Sequence, residues 1–254
     1  MKPRVAFFDF ASCEGCQLAV VNLENELLDL VSHIDIVNFR EAMTEASDDY
    51  DIAFIEGSVT REYDIPRLKK IRENAKLVVP IGACACTGGV NFRKNFYELN
   101  EIRHYVYGDS AKYFDTFATR PVKAVIPVDF EIPGCPINAK EFLSVVKSLL
   151  IGKKPEIPNH PVCVECKLAG NVCMYDKGET CLGPVTRAGC GAWCPSNGSG
   201  CEGCRGLVDE PNKNSAKDVL VKAGLSVEDA MQKFKIFAGS VSYTHLTLPT
   251  IYSV

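Results

Sequence analysis

Thirteen cysteines constrain this chain of 254 residues more than any other feature, because they fall into three sets of four with Cys86 left over. One set is dispersed: Cys13 and Cys16 in SCEGC, Cys84 in GACACTGG and Cys135 in PGCP. The other two are crowded together, Cys163, Cys166, Cys173 and Cys181 followed by Cys190, Cys194, Cys201 and Cys204. Met1-Lys2-Pro3-Arg4 runs straight into a strand-like segment, leaving no room for an export signal. The expected compartment is therefore a reducing cytoplasm, where dense cysteines bind metal or do chemistry rather than form disulfides. The odd total points the same way.

Other function classes fall away on composition. A net charge of -4 supplies no basic footprint for nucleic acid. No apolar run approaches the roughly 18 residues of a membrane span. With 46% hydrophobic residues, the chain can nevertheless bury a substantial core.

Short apolar runs alternate with helical patterns as far as residue 152. Val5 to Phe10, Ile34 to Phe39, Asp51 to Ile55, Leu77 to Ile81 and Val122 to Val128 read as strands whose nearly continuous hydrophobicity implies burial on both faces. One helix is expected along the stripe Leu18, Val21, Leu23, Leu27, Leu28, Val31. Another is expected through Ile65, Leu68 and Ile71, and a third from Phe142 to Leu150. The alternation predicts an α/β domain over 1–152, a flavodoxin-like parallel sheet with helices on both faces. Cys13 and Cys16, Cys84 and Cys135 each follow an expected strand, so all four lie at the carboxyl edge where such sheets bind ligands. Distant residues can then share one site.

From Lys153 to Pro161 a proline-rich connector opens a second region, 153–240, a small cysteine-rich domain. Its residues 163–206 carry eight cysteines, nine glycines and little hydrophobic periodicity, a composition that calls for bound metal rather than an apolar core. A helix-like piece from Val219 to Phe237 follows, with Ser226 as a candidate N-cap. Residues 241–254 match nothing before them and read as a non-native tail.

Four thiolates suit structural zinc and iron-sulfur clusters alike, and C-x2-C pairs occur in both. A zinc-stapled interaction module is thus one reading of the crowded eight. Ligands gathered from separate strand ends of a parallel sheet suit a redox cluster better.

Taken together, SCEGCQ, GACACTGG, PGCPI and the tail from CVEC to GCRG resemble the small subunit of nickel-iron hydrogenases, in particular the cytosolic delta subunit of the sulfhydrogenase type. The resemblance spans about residues 4–237. It implies three 4Fe-4S clusters: a proximal one on Cys13, Cys16, Cys84 and Cys135, a distal one on Cys163, Cys166, Cys173 and Cys181, and a medial one on Cys190, Cys194, Cys201 and Cys204. It further implies a nickel-iron large subunit as partner, and iron-sulfur and flavin subunits that reduce NAD(P). A methanogen-type small subunit feeding heterodisulfide reductase or a deazaflavin is the alternative in the same class. Two departures from membrane-associated relatives stand out. Cys163 takes a place that His often fills there, with His160 outside the set, and Cys194 replaces a Pro, so three all-cysteine clusters are expected.

The remaining candidates have ordinary expected roles. Cys86 reads as a buried thiol, and His33, His104 and His245 as surface or core residues. Glu14 and Glu56 read as solvated carboxylates at the strand-end edge. Trp193, Arg187 and Arg205 lie among the medial ligands, where packing and ion pairing account for them as well as charge compensation does.

Overall fold

The computed structural model describes residues 2–242. Four strands form one parallel sheet: β1 (Arg4–Asp9), β2 (Asp35–Asn38), β3 (Ile52–Glu56) and β4 (Leu77–Ile81), in the order β2-β1-β3-β4. β1 and β4 flank β3 in register, Asp9 beside Glu56 and Glu56 beside Ile81, so three strand ends finish side by side. All five β3 residues are buried. Because strand side chains alternate between faces, Phe7 and Phe54 enter one core while Phe8 and Ile55 enter the other.

Helices cover both faces, as the alternation predicts. On one lie α1 (Gly15–Val21), α2 (Asn25–Val31) and, later in the chain, a helix over Ala139–Leu150; on the other lies α3 (Asp64–Asn74). Asn138 caps the Ala139–Leu150 helix, its Oδ1 accepting N–H bonds from Lys140 at 2.9 Å and Glu141 at 3.1 Å. Phe142 seats that helix 5.1 Å from Phe54, whose ring stacks 5.0 Å from Phe7.

Three expected elements differ from what is observed. The single helix through Leu18 to Val31 is two, α1 and α2, separated by a turn in which Glu24 has φ 49°. The break buries Val20, Leu23 and Leu30 but leaves Leu28 68% exposed. The strand expected at Val122 to Val128 is a single 3-10 turn, Val122–Ala124, followed by coil. Pro121 and Pro127 bracket it and have no N–H to give a ladder, so Val122 and Ile126 serve as core plugs. The edge of the sheet is instead completed a few residues later, where Ile132 N–H donates to Pro80 O at 2.9 Å and Gly82 N–H to Ile132 O at 2.8 Å. The helix expected from Val219 to Phe237 is likewise divided at Gly224, whose φ is +100°.

In chain order the further helices are α4 (Gly82–Thr87), α5 (Leu99–Tyr107), α6 (Ala139–Leu150), α7 (Val162–Leu168), α8 (Trp193–Ser196), α9 (Lys213–Lys222) and α10 (Val227–Ser242). Ser226 caps α10 as expected, accepting the Asp229 N–H at 3.0 Å. The cysteine-rich region is less greasy than the sheet but not coreless. Leu182, Val185 and Leu207 pack with Leu220 of α9 and Phe234 of α10, while Val162 and Met174 pack among Cys166, Cys181 and Cys201. The Thr87 hydroxyl of α4 donates to Phe237 O at 2.8 Å, so α10 returns to the sheet domain. No helix among the described residues is long and apolar enough to cross a membrane. Of the expected tail, 243–254 lies outside the described residues.

Candidate iron-sulfur sites

The adjacent ends of β1, β3 and β4 place the dispersed cysteines. A Cβ at Gly15 would stand 3.4 Å from Cys13 Sγ and 3.9 Å from Pro136 Cβ, so the SCEGC turn lies against the PGCP loop. At Gly82, where φ is +84°, a Cβ would come within 2.4 Å of Cys16 Sγ, and at Gly89 within 3.0 Å of Cys84 Sγ. Only glycine leaves that space open. Burial pushes the Cys84 thiol up to about 12, with Cys135 and Cys13 adding to the rise. Cys16 is raised by burial and then by Glu56, with smaller contributions from Cys135 and Cys84. Cys135 is raised by burial, then by Cys13 and Glu56. The structure thus brings Cys13, Cys16, Cys84 and Cys135 into one mutually interacting group.

Glu56 differs from its expected role. It is 2% exposed, and its carboxyl oxygens accept the N–H of Cys16 at 3.0 Å and of Gln17 at 2.9 Å. These are orphan donors of the first turn of α1, so Glu56 fixes the backbone that carries Cys16. Glu14, at φ 61°, lies beside the Glu41 carboxyl, which raises its pKa ahead of burial. Both carboxyls at this edge are therefore engaged. Gln17, 1% exposed, has no hydrogen-bond partner for Oε1 or Nε2. A buried amide left orphaned beside Cys16 indicates that a polar group from outside the chain belongs nearby.

The second set closes on itself locally. Cys163 and Cys166 lie one turn apart on α7, and with Cys173 and Cys181 they line a cavity of about 60 Å³ walled by Met174, Tyr175 and Gly183. Burial lifts Cys163 to about 11, with Cys181, Cys166 and Cys173 contributing in that order. Cys181 Sγ accepts N–H bonds from Cys201 at 3.2 Å and Gly183 at 3.3 Å. His160 is not among the lining residues.

The third set sits between the other two. Cys194 is raised by burial and then by Cys190. Cys201, raised by burial, feels both Cys181 and Cys204. Cys204 is pushed up to about 11 by burial, against the lowering effect of the Cys135 backbone amide, and feels Cys135, Cys190 and Cys194. One end of this set therefore touches the dispersed group and the other touches Cys181. Glu165, inside the CVEC motif, holds the loop that carries Cys190 by accepting the N–H of Gly189 at 2.8 Å and of Ala192 at 3.2 Å.

Arg205 joins the two regions. Its side chain is 1% exposed and pairs with Glu141 on α6 at 2.7 Å, while donating to Pro133 O at 2.8 Å in the PGCP loop and to Ala188 O at 2.7 Å. Arg187 pairs with Asp209 at 2.6 Å, and Trp193 is 70% exposed. Cys86 is buried, its S–H reaching Pro80 O and Ile132 O, both at 3.7 Å. His33 and His104 are exposed, and His245 lies outside the described residues.

None of the thirteen cysteines forms a disulfide. Among the described residues no three His, Cys, Asp or Glu side chains converge closely enough for a single metal ion. Three all-thiol groups, glycine-opened space beside two of the sulfurs and an orphaned amide fit a polynuclear iron-sulfur core, whose frame is wider than that of one tetrahedral ion. Sequence reasoning found the cysteines, placed Glu56 at the right edge but as a solvated carboxylate, and missed Gln17 and Glu165. Position offered a signal for each: Glu56 ends a wholly apolar strand, and Gln17 and Glu165 adjoin ligand-type cysteines.

Residues 13–149 match the family model described as NADH ubiquinone oxidoreductase, 20 kDa subunit. The chain is 35% identical to sulfhydrogenase 2 subunit delta of Pyrococcus furiosus, over 92% of this chain and 99% of that protein. It is 32% identical to a subunit of the vhu F420-non-reducing hydrogenase of Methanocaldococcus jannaschii, over 87% and 88%. A chain in the crystal structure of an NAD+-reducing [NiFe]-hydrogenase superposes with a TM-score of 0.55 at 25% identity, over 62% of this chain and 96% of that one.

Proposed function

This chain belongs to the NADH ubiquinone oxidoreductase 20 kDa subunit family as a hydrogenase small subunit, and from that premise we propose that it is the electron relay of a cytoplasmic, NAD(P)-linked nickel-iron hydrogenase. Hydrogen is split or formed on the large subunit. This chain moves the electrons.

The observation that carries the reading is contiguity: Cys204 lies beside Cys135, whose charge and backbone amide both act on its thiol, and Cys181 accepts an N–H from Cys201 at 3.2 Å. We assign Cys13, Cys16, Cys84 and Cys135 to a proximal 4Fe-4S cluster, Cys190, Cys194, Cys201 and Cys204 to a medial one, and Cys163, Cys166, Cys173 and Cys181 to a distal one. Bound there, such clusters would supply one-electron carriers. The chain's own groups set the ligand geometry and tune it. Glu56 holds the Cys16 backbone, and the amides of Gly183 and Cys201 donate to Cys181 Sγ, which favours the more negative, reduced state. Cys13 and Cys135 are exposed, which supports an electron entry facing the large subunit. Iron-sulfur and flavin subunits would take the electrons on to NAD(P).

Anaerobic purification with its partners followed by metal analysis tests this reading. Three clusters require about twelve iron and about twelve sulfide per chain, with low-temperature paramagnetic signals after dithionite. A zinc-stapled module would carry about two zinc ions and remain silent. A methanogen-type assembly is the second reading, supported by 32% identity to the vhu hydrogenase subunit. Hydrogen-dependent reduction of a heterodisulfide, with none of NAD(P), would favour it.

A further inference from the structure

Beside the dispersed cysteines the chain raises an arm that stands clear of the sheet. Its foot is residues Gly89–Phe96, anchored by asparagines: Asn91 Nδ2 donates to Ala11 O at 2.7 Å and to Ser58 Oγ at 2.9 Å, and Asn95 exchanges two hydrogen bonds with Thr119. Above it α5 has no buried residue. Tyr105 is 90% exposed, Tyr113 75%, Val106 61% and Tyr97 55%. Apolar and aromatic side chains displayed together on so short a segment are the composition of an interface core, not of a solvated surface.

Under the arm lies a cleft of about 610 Å³, with Ala11 and Asn91 at the end nearest the dispersed cysteines. Ile102 and Lys94 line both this cleft and an adjoining hollow of about 720 Å³, so α5 stands as a rib between two unfilled grooves. Lys94, Arg61 and Arg103 face Asp115 as the single carboxylate of the cleft lining. Arg61 also pairs with the buried Asp64 at 3.4 Å. Lys94 and Arg103 make no ion pair among the described residues, and the Lys94 ammonium touches only the Thr116 hydroxyl there. Burial lowers the Lys94 pKa. The Nε–H groups of Arg61 and Arg103 are shielded from solvent yet without a hydrogen-bond partner. Although Arg103 also donates to Ala111 O at 2.7 Å, the two unmet Nε–H donors, beside a half-buried ammonium held by one hydroxyl, leave a place for an acceptor that this chain does not supply.

We propose that this cleft seats an acidic segment of the hydrogenase large subunit, with a carboxylate between Lys94 and Arg103 and the arm tyrosines closing over the contact. This rests on the hydrogenase reading above and adds to it the surface and the chemistry of the docking. Two observations point to that partner: the excess of cations in the cleft, and the continuity of the cleft with the loop that carries Cys13, where the large subunit must approach for electrons to enter. Desolvated charge pairs under an aromatic cover set dissociation more than association.

The test is co-expression with a tagged large subunit, reading the amount of this chain retained and the iron it carries. Lys94→Glu with Arg103→Glu should weaken retention by about 30-fold or more, with iron per chain unchanged. Lys140→Glu with Lys147→Glu makes the same charge change at exposed positions of α6 outside the cleft lining and should retain the partner normally. Wild-type retention of the Lys94/Arg103 double variant would overturn the proposal, as would equal loss with the Lys140/Lys147 pair. Loss of the flavin and iron-sulfur subunits alone would also overturn it, giving the cleft to them. If the wild-type chain retains no nickel-containing partner, the hydrogenase reading itself fails. A double variant with depleted iron is replaced by Tyr105→Ser with Tyr113→Ser, exposed positions whose loss should weaken retention without affecting the fold; full retention there overturns the proposal.

Discussion

Single residues decide whether sulfur can gather at the strand ends. Glu56 stands at the end of an apolar strand, where side-chain periodicity suggests nothing polar is needed, yet two helix N–H groups require its oxygens. Glu56→Gln replaces one acceptor with a donor at a 2% exposed site, and should cost about 1–3 kcal/mol. Anaerobic denaturation would read this as a lower midpoint at unchanged slope, and an unaltered midpoint would deny the carboxyl its holding role. Gly82→Ala puts a methyl 2.4 Å from Cys16 Sγ at a φ of +84°. It should remove about four irons, whereas Cys86→Ala, whose S–H only meets backbone carbonyls, should remove none. Iron counting separates the two.

At the scale of elements, what matters is how the cysteine-rich region is fixed to the sheet. The ion pair of Arg205 and Glu141 is the main staple, for it ties α6 and the PGCP loop to the loop that carries Cys190. Arg205→Met leaves the Glu141 carboxyl buried and unpaired, and should cost about 3–5 kcal/mol. Joining it with Glu141→Leu should restore much of that, since two apolar groups leave no orphan charge. Thermal unfolding of the single and double variants checks both outcomes, and equal loss in the two would mean that the pair does not act as one unit. α10 adds a second tie, reaching back to Thr87 of α4 from beyond the last cysteine. The element boundaries that reading the chain misjudged, the divided first helix and the displaced edge segment, lie at Glu24 and at Pro121 to Pro127. There the packing of Val20, Leu30, Val122 and Ile126 overrides local pattern.

Across the whole molecule, the sheet domain carries its own two cores, while the cysteine-rich region has small ones in which Cys166, Cys181 and Cys201 are themselves packing residues. Removing iron with a chelator under anaerobic conditions should therefore expose residues 153–210 to protease first and spare the sheet. Uniform cleavage of both regions would show that the sheet too depends on metal. The sequence by itself determined the parallel α/β architecture, the grouping of the cysteines and the solitary Cys86, because hydrophobic period and ligand spacing are local properties of a chain. Only the tertiary structure decided that Glu56 and Arg205 turn inward, and that an arm of tyrosines stands open beside the strand ends. Those depend on which surfaces meet when distant segments pack, and no local pattern records that.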